Sequence, residues 1–148
     1  MKNTKIDKVA NNLVKAFVQN KIIAPIPLKF TKSMKNAESL RRLCESKIKQ
    51  PIIGFKAGGT SIKMLKKWGI KKPFYAAVYK KNLLKSGKKV KINPYTLGAE
   101  LEVGYFIKKS FFDSKGAITA NNIHNYISYR LPSIEIAGYR QRKKGLKY

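Results

Sequence analysis

Ile6, Val9, Ala10, Leu13, Val14, Phe17 and Val18 recur at the i, i+3, i+4, i+7 spacing that lines one face of an α-helix. An amphipathic helix is predicted there. Thr4 with Asp7 three residues on has the form of a capping box, Asp standing for Glu. The period breaks over residues 22–28, where Pro25 and Pro27 hold the chain extended. It resumes from about 35 to 49, with Ala37, Leu40, Leu43, Cys44 and Ile48 inward and Pro51 as the stop. Cys44 reads there as a small core residue.

The pattern then changes. "PIIGFKAGGTS" reads as a short strand entering a glycine-rich turn, after which Thr60 or Ser61 caps a short helix carrying Met64, Leu65 and Trp68, closed by Gly69. Pro73 opens an aromatic stretch over 74–79. "SGKKVKINP" suggests a turn and a strand through Val90 and Ile92, and "GAELEVGYFI" alternates as a strand does. A helix is predicted from Thr119, with Ile123, Tyr126 and Ile127 inward and Pro132 at its end. "SIEIAG" is a further short strand. These elements make one α+β domain over residues 1–148, with a basic tail at 139–148.

Composition narrows the class. Hydrophobic residues make up 43%, enough for a core. No window is long and apolar enough to span a membrane, the first twelve residues lack a signal-peptide core, and the single cysteine fits a reducing compartment. A cytoplasmic protein is expected. The formal net charge is +26, from 33 Lys plus Arg against seven acids. Such charge suits nucleic acid or another polyanion. Yet 28 of the 33 are Lys, dispersed, where base readers favour Arg. A solvated basic surface, with only non-specific nucleic-acid binding, is the plainer expectation.

That surplus makes the acids informative. Glu100 and Glu102 lie in one apolar strand, and alternation puts both on the face of Gly104. Two strand steps separate them by about 6.6 Å. At an effective dielectric near 20 they repel by about 2.5 kcal/mol. Glu135 repeats the oddity between two isoleucines. Either the three meet water on polar faces, or they converge on a hard divalent cation such as Mg²⁺ or Mn²⁺. Lys56 lies between Gly54 and Gly58 on one strand face, where glycines admit a ligand, although most lysines are surface charges. "AGGTS" is not a phosphate loop, and His124 has no acidic partner nearby in sequence.

"IGFKAGGTS", "WGIKKP", "GAELEVGYFI" and "LPSIEIAGYR", in that order, resemble the 2-keto-4-pentenoate hydratase family of the fumarylacetoacetate hydrolase fold superfamily. The resemblance implies a mixed β-roll with flanking helices, Glu100, Glu102 and Glu135 as ligands of Mg²⁺ or Mn²⁺, Lys56 as the catalytic lysine, and Gly58 and Arg140 with Lys56 beside the substrate. The implied reaction adds water to a 2-hydroxydienoate or 2-oxo acid. Activities of the 4-oxalocrotonate decarboxylase or fumarylacetoacetase type are the alternatives within the superfamily. A basic polyanion-binding protein is the alternative outside it. Two features depart from the family. Phe74 follows Pro73 where members often carry an acid, and the sequence stops at Tyr148, where members continue. The expectation is therefore an incomplete roll with low activity by itself, forming homo-oligomers or completed by a separate C-terminal chain.

Overall fold

The computed structural model describes residues 5–93 and 95–139. Its fold is mixed α+β: four helices and two small antiparallel sheets, with no closed barrel among the described residues. The described residues divide into two compact units, one within 5–92 and the other within 93–139.

In the first unit, α1 (Lys5–Gln19) forms where the apolar period predicts it and buries Ala10 and Ala16. Asn20 ends it at φ 53, a left-handed turn that asparagine tolerates. Helix α2 (Met34–Lys47) starts because the Ser33 hydroxyl accepts the Asn36 N–H at 3.2 Å. It buries Leu40. Strand β1 (Ile52–Gly58) pairs antiparallel with β2 (Phe74–Tyr79). Between them lies α3 (Ile62–Trp68), capped by Ser61 through Met64 N–H and closed by Gly69 at φ 64. Phe17 of α1 packs on Tyr79 of β2 with ring centres 5.3 Å apart, which fixes helix to sheet. The strand expected through Val90 and Ile92 is absent. The turn at Gly87 forms, at φ 80, but both apolar side chains stay exposed and no partner strand faces them among the described residues.

The second unit is a long ribbon, β3 (Thr96–Ile107) against β4 (Ile127–Gly138). The connection holds α4 (Lys109–Phe112) and a single 3₁₀ turn, Ile123–Tyr126. This corrects the helix predicted from Thr119 to Pro132. Ile127, Tyr129 and Leu131 alternate along a strand that pairs with β3, and that pairing overrides a weak helical period. Pro132 does not end the element. It sits opposite Val103 inside β4, and both strands of a two-stranded sheet are edges, where proline is tolerated. "SIEIAG" is thus the second half of β4.

Candidate functional site

Antiparallel pairing puts opposite residues on one face. Glu100 stands opposite Glu135, and Glu102 opposite Ser133. One oxygen from each of Glu100, Glu102 and Glu135 lies within 4.8 Å of the others. The three acids chosen from sequence therefore converge. Glu100 and Glu102 are exposed and Glu135 is half-buried. Like charges directly across a ladder destabilise it.

Three of the four other acids are paired with cations. Asp7 meets Lys47 at 3.3 Å, while Glu38 binds Arg42 at 2.9 Å and Glu45 binds Arg41. The Arg42 hydrogen bond holds the Glu38 carboxyl below the usual carboxylate range. Among the described residues, Glu100, Glu102 and the exposed Asp113 make no ion pair. Charge is partitioned in the same way. Residues 93–139 hold four cations and four anions, net zero. The remainder holds 29 cations and three anions, which is the whole +26.

Small residues surround the acids. Gly98 and Gly104 flank them on β3, and Ala137 and Ser133 lie opposite on β4. A Cβ at Gly104 would lie 3.5 Å from the Leu131 side chain and 3.6 Å from the Ser133 hydroxyl, so Leu131 closes that end of the face. Ser133 was missed in the sequence, although its place two residues before Glu135 marks it as sharing that face.

The donor set fits a hard divalent cation. Six-coordinate Mg²⁺ holds oxygens about 2.1 Å away, so two ligands of one ion stand at most about 4.2 Å apart. Exposed glutamates close the difference from 4.8 Å by small rotations. Ser133 offers a hydroxyl beside them, and water completes such a shell.

Lys56 and Gly58 lie on β1, in the first unit. Lys56 is exposed and pairs with Ala76. Gly58 is opposite Phe74, and an added Cβ would lie 2.5 Å from that ring, so Phe74 fills the room this glycine leaves. Arg140 lies outside the described residues, as do Thr4 and the tail beyond Tyr139. His124 is exposed in the 3₁₀ turn. No helix among the described residues is long and apolar enough to cross a membrane. Compared with known proteins, the chain matches no family model and no curated protein.

Proposed function

We propose that this chain is a divalent-metal-dependent hydratase-type protein, part of a β-roll of the fumarylacetoacetate hydrolase type, acting on a small 2-oxo or 2-hydroxydienoate acid. The observation that supports the reading is the convergence of Glu100, Glu102 and Glu135 in a chain otherwise dominated by cations. Glu100, Glu102 and Glu135 would hold Mg²⁺ or Mn²⁺, which supplies Lewis-acid polarisation of a 2-oxo group. The chain's own residues do the rest. The register of the ladder sets Glu100 across from Glu135, so the backbone places the ligands together before binding. Gly98 leaves one end of the carboxylate face without a side chain, and Leu131 covers the other end beside Gly104. The +26 charge draws anionic acids to the chain. Lys56 is assigned to the substrate by the sequence resemblance, as a hydrogen-bond donor to its carboxylate or developing oxyanion.

The test is metal binding. Mn²⁺ at a hundred times its dissociation constant is expected to stabilise the chain by about 2.7 kcal/mol. Glu102→Gln, exposed and therefore tolerated by the fold, is expected to weaken Mn²⁺ affinity at least about tenfold, as loss of even an outer-shell partner does. Thermal melts and Mn²⁺ electron paramagnetic resonance read both. A wild-type melt unmoved by millimolar Mn²⁺, or equal affinity in the variant, rules the site out.

A further inference from the structure

The first unit carries a groove between α2 and the α3–β2 segment with a volume of about 470 Å³. That volume lies in the range of small-molecule sites, roughly 300–1,000 Å³. Its walls include three aromatic rings, Trp68, Phe74 and Tyr75. Trp68 and Phe74 pack with ring centres 5.9 Å apart and both remain exposed on the groove side. The Arg41 guanidinium lies 4.3 Å over the Tyr75 ring and fixes its plane.

The charges at the mouth decide what enters. Arg41 is committed to Glu45 and Glu38, and Arg42 to Glu38. Two arginines thus neutralise two glutamates. Lys72 also lines the groove, close enough to Glu38 to help hold its carboxyl low, and makes no hydrogen bond or ion pair among the described residues. The cation left over is Lys72. Its complement is an anion attached to a flat apolar body.

We propose that this groove binds a small aromatic carboxylate, its ring against Trp68 and Phe74 and its carboxylate on Lys72. A cationic ligand is disfavoured by Lys72 and by the net charge of +26. A neutral one leaves Lys72 unused. The site needs no metal and shares no residue with the carboxylate triad, so its test is made in chelator.

Trp68 is the only tryptophan in the chain, so its emission reports this groove alone. The probes are 2-naphthoate and the neutral 2-naphthamide, titrated in EDTA at low salt. Saturable change of Trp68 emission by 2-naphthoate is expected, with 2-naphthamide weaker. Lys72→Met should weaken 2-naphthoate about fivefold, the upper range for an exposed ion pair, and leave 2-naphthamide unchanged. Ala37→Phe, which fills the groove, should weaken both probes, with unchanged far-ultraviolet circular dichroism showing that the helices are intact. No saturable response to 2-naphthoate overturns the proposal. So does equal weakening of both probes by Lys72→Met. A Trp68 emission that shifts with protein concentration alone also overturns it, because another copy then covers the groove.

Discussion

Cys44 sits half-buried on α2 with its sulfur 3.9 Å from the Ala10 carbonyl oxygen, a thiol held between two helices. Burial first, and the nearby Glu45 carboxylate second, push it up to about 11. At pH 8 its thiolate fraction falls about a hundredfold below that of a free thiol, so iodoacetamide is expected to react about a hundredfold more slowly than with the urea-unfolded chain. Equal rates would mean that α1 and α2 do not cover the sulfur. The sign of the linkage follows. The folded thiol holds its proton more tightly, so its stabilising share is complete below the unfolded value of about 9.0 and is lost as pH rises towards about 11. Cys44→Ala should lose less stability over that window than the wild type does. The core role of Cys44 was legible from its helical period. So was the face shared by Glu100 and Glu102, because a strand alternates strictly. The position of Glu135 opposite Glu100 was not, since register is set by pairing across 35 residues and no local rule encodes it.

Elements whose ends are local were readable, and α3 shows why. Ser61 supplies the missing acceptor, Gly69 the left-handed close, and Gly59 the turn out of β1 at φ +68. Gly59 is buried, and a Cβ there would lie 3.3 Å from the Trp68 ring. Gly59→Ala is therefore expected to cost about 1–2 kcal/mol from backbone conformation alone, with crowding of Trp68 added. Gly54→Ala is the contrast, because nothing lies within 4 Å of its Cβ position. That variant should be close to neutral in urea titration, and similar losses at both positions would place the constraint elsewhere in β1. The failures were the elements with distant partners. The chain over 88–93 has strand composition but no strand beside it among the described residues, and the stretch 119–132 carries a helical period that β3 overrides. The fumarylacetoacetate hydrolase roll belongs to the same class of expectation. The described residues form two separate antiparallel pairs, and closure of a roll would depend on pairings that no single segment carries.

Across the molecule, charge and apolar surface are set against each other. The face of the β3–β4 ribbon opposite the glutamates carries Leu101, Val103 and Tyr105 beside Ile134 and Ile136, with Leu101 88% and Ile134 64% exposed. The buried hydrophobic residues are Ala10, Ala16, Leu40, Tyr79 and Ala137, a small core for the described chain. A two-stranded ribbon is marginal alone, so covering this face is worth more to it than to a thicker sheet. The ribbon segment is net neutral, and the repulsion between copies comes from the +26 outside it. Screening length falls from about 30 Å at 0.01 M salt to about 3 Å at 1 M. Repulsion therefore weakens with salt while apolar attraction does not. Sedimentation velocity is expected to show monomers at about 0.01 M salt and growing association towards about 1 M. Leu101→Lys should suppress that growth without lowering stability, because the side chain it replaces is already in water. Phe55→Lys, at a position 63% exposed on β1, is the control and should leave it unchanged. Association that is strongest at low salt would instead assign it to ion pairing, and equal suppression by both variants would remove the ribbon face as its cause.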